Sequence, residues 1–278
     1  MTQVVNIPNV RLNDGHEIPQ LGFGVFQVPP EDTERAVSLA LEAGYRHIDT
    51  AAAYGNEEGV GRAIEASGLP RDEVFVTTKV WNDSQGRERT VRALDKSLRR
   101  LRLDYVDLYL IHWPAPRRDL YVDAWQALES VREDGRTRSI GVSNFTREHL
   151  ERLARETSST PALNQIELHP RLQQPELRAY HREHGLVTEA WSPLGQGGEI
   201  LHDPTIGAIA NNHGRTPAQV ILRWQLQLGN VTMPKSVTPE RIRENIDVFD
   251  FELTVEDMKQ IEGLDRGQRL GPDPDTFG

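Results

Sequence analysis

Four residues in the first half of the chain have side chains that together could move a proton. Asp49, Lys79 and His112 each end a short, mostly apolar segment, and Tyr54 lies in a Gly-containing loop just after Asp49. Tyrosine is a poor acid at neutral pH because its unperturbed pKa is about 10, unless a cation stabilises the phenolate. Lys79 could supply that cation, and Asp49 could pair with it so that a buried ammonium is not left alone. With His112 orienting an oxygen that gains negative charge, the quartet suits general acid catalysis.

The few lysines of the chain also single out two strand ends. Of 32 basic residues, only four are lysine, and Lys96 and Lys259 lie in helical patterns that suit solvated positions. Lys79 and Lys235 instead end apolar strand candidates. Because the ammonium is a compact charge whose pKa is readily tuned, we predict chemical roles for Lys79 and Lys235.

The elements that carry these residues alternate between strand and helix. Eight short, mostly apolar segments separated by amphipathic helices are typical of a parallel sheet buried on both faces. A doubly wound open sheet and a closed barrel both fit this alternation, and the count of eight favours the barrel. A length of 278 residues agrees with the about 250 residues of a one-domain α/β barrel. The predicted strands are 21–25, 45–49, 74–80, 106–112, 139–142, 162–166, 186–190 and 231–233.

We therefore predict an α/β fold, a (β/α)8 TIM barrel formed by residues 1–278 as a single domain. Asn13-Asp14-Gly15 between apolar residues predicts an N-terminal β-hairpin. The tail after Asp265 is predicted to be irregular. The predicted helices are 31–43, 57–67, 87–101, 119–133, 146–155, 175–184, 205–213, 216–228, 239–248 and 254–264.

The C-terminal ends of the predicted strands carry an unusual set of side chains. In a parallel barrel these ends form the face on which active sites are built. Turn and capping residues alone would favour Asp, Asn, Ser and Gly, and would not supply Lys, His and Trp. The residues at seven consecutive ends are Asp49, Lys79, His112, Ser143 with Asn144, Gln165, Trp191 with Ser192, and Lys235 with Ser236.

Composition excludes several classes of function. A net charge of −10 disfavours nucleic acid and anionic membranes, which require a basic surface. No apolar run approaches the ~20 residues of a membrane span, and residues 1–8 lack the pattern of a signal peptide. The absence of cysteine excludes disulfides, thiolate metal sites and a Cys nucleophile. His169 has no second ligand at metal-binding spacing, so we expect a cytoplasmic protein without a metal.

Several segments, in this order along the chain, resemble the signature segments of the aldo-keto reductases. The resemblance extends from Val10 to about Leu264. Segments 191–197 and 245–251 are most similar to bacterial 2,5-diketo-D-gluconic acid reductases. The signature segments are 44–51 with 54–57, 106–114, 140–145, 164–170 and 233–236.

The resemblance implies an activity and assigns roles to the proton-transfer quartet. The activity would be NADPH-dependent reduction of small aldehydes or ketones to alcohols, with 2,5-diketo-D-gluconate and other dicarbonyls as candidate substrates. Tyr54 would be the general acid, Lys79 and Asp49 would tune its pKa, and His112 would orient the substrate carbonyl. Monomers are common in the family, so a monomer is expected.

The resemblance also implies a set of contacts with NADPH. Trp191 departs from the Tyr of many family members but keeps an aromatic ring for stacking on the nicotinamide. A Lys, a hydroxyl and an Arg close to a helix start also suit a phosphate on physical grounds, which favours NADPH over NADH. The implied contacts are Ser143, Asn144 and Gln165 for the carboxamide, Trp191 for the nicotinamide ring, Ser192, Leu194 and Gln196 for the pyrophosphate, Lys235, Ser236 and Arg241 for the 2′-phosphate, and Glu244 and Asn245 for the adenine.

Four residues are predicted to line the substrate pocket. Gly22-Phe23-Gly24 lacks the third glycine of a dinucleotide-binding loop, so we expect Phe23 and Val25 to face the pocket instead. Trp81 and Trp113 each follow a catalytic strand end and match substrate-pocket positions of the family.

Two other functions remain compatible with a barrel. The first is an NADPH-binding regulatory or scaffold protein with little turnover, which the intact quartet disfavours. The second is a phosphate-binding lyase or isomerase, which would have no affinity for NADPH. The chain lacks the Gly-rich phosphate loops that such barrels carry near the last two strands.

Overall fold

Strands and helices alternate along the chain after an N-terminal hairpin in the computed structural model, which describes residues 6–278. The strands are β1 (Asn9–Arg11), β2 (Glu17–Pro19), β3 (Phe23–Gly24), β4 (His47–Asp49), β5 (Phe75–Val80), β6 (Val106–Ile111), β7 (Thr137–Ser143), β8 (Leu163–Glu167), β9 (Val187–Trp191) and β10 (Val231–Met233). The helices are α1 (Pro30–Ala43), α2 (Glu57–Ser67), α3 (Arg87–Leu101), α4 (Tyr121–Glu133), α5 (Arg147–Glu156), α6 (Pro175–Glu183), α7 (Pro204–His213), α8 (Pro217–Gln227), α9 (Pro239–Ile246) and α10 (Val255–Glu262).

The strands β3 to β10 form one parallel sheet in which each strand pairs with its neighbours in the sequence. A parallel bridge between Leu21 and Thr232 joins the two ends of this sheet. The Gly22 amide donates to the Thr232 carbonyl at 3.0 Å, and the Gly24 amide donates to the Pro234 carbonyl at 3.1 Å. The sheet therefore closes into the predicted (β/α)8 barrel, and each predicted strand and helix agrees with an observed element to within a few residues.

The predicted hairpin is present and closes the N-terminal end of the barrel. Strands β1 and β2 are antiparallel, and the Leu12 amide donates to the His16 carbonyl across the turn at 2.8 Å. Leu12 and Ile18 are buried in one apolar cluster with barrel residues such as Phe75 and Leu108. The hairpin thus shields the bottom of the barrel from water, and the opposite end stays open.

Local sequence explains where the helices begin and end. Helix α8 begins with Pro217 after the N-cap Thr216, and the Thr216 and Gln219 side chains form a capping box. Helix α1 is capped at its C-terminus by Gly44, whose φ of 107° is a conformation that favours glycine. None of the helices formed by residues 6–278 combines the length and apolarity that crossing a lipid bilayer requires.

Candidate active site

A cavity of about 1530 Å³ opens at the C-terminal ends of the barrel strands. All the predicted cofactor residues line it, as do Trp81 and Trp113. Of the predicted catalytic residues, Asp49, Tyr54 and His112 line it as well. The strand ends therefore converge on one space, as a parallel barrel requires.

The fourth predicted catalytic residue, Lys79, lies directly beneath this cavity. Its Nζ donates to both Asp49 carboxylate oxygens at 2.7 Å and to the Thr50 carbonyl at 2.9 Å. Lys79 is fully buried, and its Nζ lies 5.1 Å from the centre of the Tyr54 ring. Adjacent parallel strands β4 and β5 carry the two charged residues. A buried ion pair thus underlies the phenol.

The Lys79 charge favours the Tyr54 phenolate but does not outweigh the cost of burial. Desolvation of the phenol raises the pKa of Tyr54 to about 12, while the nearby Lys79 ammonium acts to lower it. Burial disfavours the Lys79 ammonium, but Asp49, Tyr54 and Glu189 together outweigh that effect, and the pKa of Lys79 is raised above its ordinary value. Lys79 therefore stays charged and can stabilise the Tyr54 oxygen as it loses its proton.

His112 lies beside the phenol as a neutral imidazole. Its ring centre is 5.5 Å from that of Tyr54 and 5.1 Å from that of Trp81. Burial, with a further contribution from Lys79, holds the pKa of His112 well below its usual range. A neutral imidazole donates from one ring nitrogen, so His112 can donate a hydrogen bond to an oxygen in the cavity without carrying a charge.

Asn144 links the strand end that carries His112 to the Trp191 indole in the cavity wall, which serves as its aromatic platform. Its Nδ2 donates to the His112 carbonyl at 3.0 Å, and its Oδ1 accepts from Trp191 Nε1 at 2.8 Å. Ser143 Oγ donates to the Gln165 carbonyl at 2.9 Å. These bonds fix the orientation of the half-buried Trp191 indole, one face of which contributes to the cavity wall.

Three of the predicted cofactor residues have a left-handed backbone conformation. The φ angles are 62° for Asn144, 48° for Ser192 and 57° for Gln196. Non-glycine residues rarely adopt this conformation, and such strain is found preferentially at binding and catalytic sites. The two loops that carry these residues therefore have a feature typical of ligand-binding loops.

The far end of the cavity is basic and lies next to the beginning of α9. Lys235, Ser236 and Arg241 all line it. The two cations are exposed, and neither forms a salt bridge with any residue in the range 6–278. The Thr238 amide donates to Ser236 Oγ at 3.1 Å, which fixes that hydroxyl at the helix start. This arrangement suits an anion.

The prediction that Phe23 and Val25 face the pocket is wrong. Both are buried in the apolar cluster between the sheet and the helices, and Phe23 packs against Tyr45 with ring centres 5.6 Å apart. Successive strand residues point to opposite faces, and here Gly22 points inward, where an added Cβ would lie 2.5 Å from the Met233 side chain. The following Phe23 therefore points outward, towards the helices.

Phe26 lines the pocket where Phe23 and Val25 were predicted to do so. It lines the cavity together with Gly24 and Gln27. Its side chain is 46% exposed and its ring centre lies 5.1 Å from that of Tyr54. An exposed aromatic ring beside the Tyr54 phenol provides an apolar wall at the cavity mouth.

The C-terminal tail forms another wall of the cavity, and its path could not be derived from the sequence. The tail is irregular after Asp265, as expected, and Phe277 packs against Trp113 and Trp81 at ring-centre distances of 4.7 and 6.2 Å. The tail thus closes one side of the cavity next to the predicted pocket tryptophans.

A buried carboxylate attaches this tail to the barrel. Glu167, at the end of β8, accepts from the Leu270 amide at 2.6 Å and from the Gly271 amide at 2.9 Å. His169 Nε2 lies 3.0 Å from the same carboxylate. Gly271 lies so close to the indole that an added Cβ would be 2.5 Å from Trp191 Cη2. The tail and the aromatic platform are therefore in direct contact.

Comparisons with known proteins agree with this geometry. The model of the Aldo/keto reductase family matches residues 20–266. An aldo-keto reductase of Mycobacterium sp. (strain KMS) is 60% identical over 270 residues, which are 97% of this chain and 98% of that protein. The methylglyoxal reductase DkgA of Yersinia pestis is 55% identical over 272 residues, or 98% of each chain.

A solved structure shows the same fold with a cofactor present. The crystal structure of a mutant of Gox0644 in complex with NADPH has a TM-score of 0.94 and 49% sequence identity. The match covers 98% of this chain and 99% of that one. The chain therefore belongs to the aldo/keto reductase family of oxidoreductases.

Proposed function

We propose that this chain reduces small aldehydes and ketones, dicarbonyls among them, to alcohols with NADPH as the reductant. One observation carries the proposal: the buried pair of Lys79 and Asp49 lies beneath Tyr54 at the floor of the cavity, beside a neutral His112. The 55% identity to a methylglyoxal reductase supports a small dicarbonyl as one substrate.

Each residue of the quartet has a separate role in protonating the substrate oxygen. Bound NADPH supplies the hydride that adds to the carbonyl carbon. Tyr54 gives its hydroxyl proton to the carbonyl oxygen, and Lys79 stabilises the phenolate that remains. His112 donates a hydrogen bond that orients the same oxygen. Asp49 keeps Lys79 charged and in place, since an unpaired buried ammonium would be costly.

The residues present fit NADPH at both ends of the cavity. The Gln165 side-chain oxygen accepts no hydrogen bond from residues 6–278, so it is available to a carboxamide. The Trp191 indole offers a ring for stacking, and Lys235 and Arg241 are cations without carboxylate partners in the described part of the chain. We also propose that the enzyme is a monomer and that residues 1–278 form a single domain.

Replacing Arg241 with Ala should weaken NADPH binding more than NADH binding. A charged contact to a phosphate contributes about 1.5–3 kcal/mol, so we expect NADPH affinity to fall at least about tenfold and NADH affinity to change little. Fluorescence titration with each cofactor measures both. Arg243→Ala is the matched control, because Arg243 lies on the same helix and does not line the cavity. Equal losses for the two cofactors would contradict a phosphate site at Arg241.

Replacing Gly271 with Ala should disturb the aromatic platform. The added Cβ would lie 2.5 Å from Trp191 Cη2, and relieving such overpacking typically costs about 1–3 kcal/mol. We expect a higher KM for carbonyl substrates and altered Trp fluorescence. The matched control is Gly207→Ala in α7, where an added Cβ meets no atom within 4 Å. Identical kinetics for the two variants would show that the tail does not shape the site.

Product analysis tests the proposed reaction. The chain is incubated with methylglyoxal and with NADPH that carries deuterium at the reactive carbon, and the products are identified by mass spectrometry. We expect an alcohol that has gained one deuterium on the former carbonyl carbon. If the protein binds NADPH but leaves every carbonyl compound of a broad panel unchanged, the proposal is contradicted.

A further inference from the structure

A buried glutamate inside the barrel has no part in the proton transfer described above. Glu189 lies in the middle of β9, is fully buried, and pairs in the parallel register with Gln165 on β8. Burial, together with the nearby Asp49 charge, raises the pKa of Glu189 above its ordinary value. A carboxyl group in an apolar interior is costly unless it makes specific hydrogen bonds. The one hydrogen bond that the Glu189 side chain makes with residues 6–278 is therefore informative.

That bond comes from the side-chain amide of Gln165. Its Nε2 donates to Glu189 Oε1 and, at 3.0 Å, to Asp49 Oδ1. A primary amide has two N–H donors on its nitrogen and acceptor sites on its oxygen. Two carboxyl groups therefore take both donors of Gln165, one each.

This pairing settles which way the Gln165 amide points. The orientation of a glutamine amide is usually ambiguous and has to be inferred from its partners. A reversed amide would place its oxygen against Asp49 Oδ1, which is paired with the Lys79 ammonium and has no proton to donate, so that orientation is disfavoured even when Glu189 is protonated. The nitrogen therefore faces the two carboxyl groups, and the oxygen is the atom left for the cavity that Gln165 lines.

The two carboxyl groups are not equivalent in this arrangement. Asp49 is already held by Lys79 through two bonds, so its position does not depend on Gln165. Glu189 Oε2, by contrast, has no hydrogen-bond partner among residues 6–278 although it is buried. Within the described part of the chain, the side chain of Glu189 thus bonds only to Gln165.

We propose that Glu189 is a positioning residue that holds the Gln165 amide with its oxygen towards the cavity, ready to accept a hydrogen bond from the nicotinamide carboxamide. This inference rests on the proposed function, because it requires NADPH to bind at that end of the cavity. This role requires only that the side chain at position 189 carry an oxygen that accepts a hydrogen bond from Gln165 Nε2. Glutamine at position 189 should therefore serve, whereas leucine should not.

A double-mutant cycle on NADPH affinity tests the inference. Kd is measured by fluorescence titration for wild type, Glu189→Leu, Gln165→Leu and the double variant. Loss of one net hydrogen bond corresponds to about a tenfold change, so we expect Glu189→Leu to bind NADPH about tenfold more weakly. Because Glu189 acts through Gln165, adding Glu189→Leu to Gln165→Leu should cause no further loss. Glu189→Gln should retain wild-type affinity.

A matched control separates positioning from general destabilisation. Asp107 is also a buried carboxylate on a barrel strand, but it bonds Arg71 and the Val76 amide outside the active-site cavity. Asp107→Asn should lower the melting temperature and leave the NADPH Kd unchanged.

Three results would overturn the inference. Additive losses in the cycle, or equal losses for Glu189→Gln and Glu189→Leu, would show that Glu189 does not act through Gln165 as an acceptor. Wild-type protein that fails to bind NADPH would instead refute the proposed function, and the inference with it. The wild-type titration therefore distinguishes the two failures.

Discussion

Replacing Tyr54 with Phe should lower kcat roughly 100- to 10,000-fold, the usual contribution of a general acid, and leave NADPH affinity close to that of wild type. The change removes only the hydroxyl that gives its proton to the substrate oxygen. The ring remains, so its contacts with Phe26 and His112 and the shape of the cavity should persist. Steady-state kinetics and cofactor titration on the same preparation measure both quantities.

Tyr105→Phe is the control for this variant. Tyr105 lies between the guanidinium groups of Arg71 and Arg138, whose Cζ atoms are 4.3 and 4.5 Å from the centre of its ring. It does not line the active-site cavity. It should turn over substrate at the wild-type rate. If Tyr54→Phe lost turnover and NADPH binding to the same extent, its assigned role as the proton donor would be refuted.

Replacing Lys79 with Met should reduce both stability and turnover. The change leaves the Asp49 carboxylate buried without its cation, and breaking a buried pair in this way typically costs about 3–5 kcal/mol of unfolding free energy. It also removes the charge that stabilises the Tyr54 phenolate, so kcat should fall steeply. Urea denaturation followed by circular dichroism measures the first effect, and steady-state kinetics measure the second.

The double variant Asp49→Asn with Lys79→Met separates the two effects. Replacing both members of a buried pair by neutral groups removes the stranded charge, so much of the lost stability should return. Turnover should not return, because no cation remains beside Tyr54. A double variant that regained turnover along with stability would show that the pair serves folding alone.

Much of the fold and of the candidate site could be predicted because both depend on local patterns. Strands such as β5 and β6 are short and apolar and lie between amphipathic helices, so their order and parallel arrangement follow from the sequence. Once the strands are parallel, Lys79 and His112 must emerge at the same end of the barrel. The convergence of the quartet on one cavity is therefore a consequence of topology.

The direction of individual side chains was harder to predict. Strand β3 has only two residues, and Gly22 and Gly24 flank Phe23. One face of this strand carries glycine and the other carries Phe, and the sequence does not show which face points into the barrel. Apolar residues suit both a pocket and the layer that packs against the helices. The closeness of Gly22 to Met233 decides the orientation, and that contact joins the first and last barrel strands.

The C-terminal wall and the positioning glutamate depend on contacts between distant parts of the chain. Glu167 bonds Leu270 across 103 residues, and an irregular tail has no periodicity from which its path could be inferred. Glu189 did leave a signal, namely an acidic residue inside an otherwise mostly apolar strand. Its bond to Gln165, which lies one strand away, supplies the missing information.

The decay of NADPH absorbance with purified wild-type protein tests the central claim most directly. The substrate panel is methylglyoxal, phenylglyoxal, a simple aldehyde and 2,5-diketo-D-gluconate. The proposed function predicts turnover of at least one of these carbonyl compounds, and a strong preference for the diketo acid would define the substrate class. Protein that binds NADPH but consumes none with any member of the panel would contradict the assignment and favour a regulatory, cofactor-binding role.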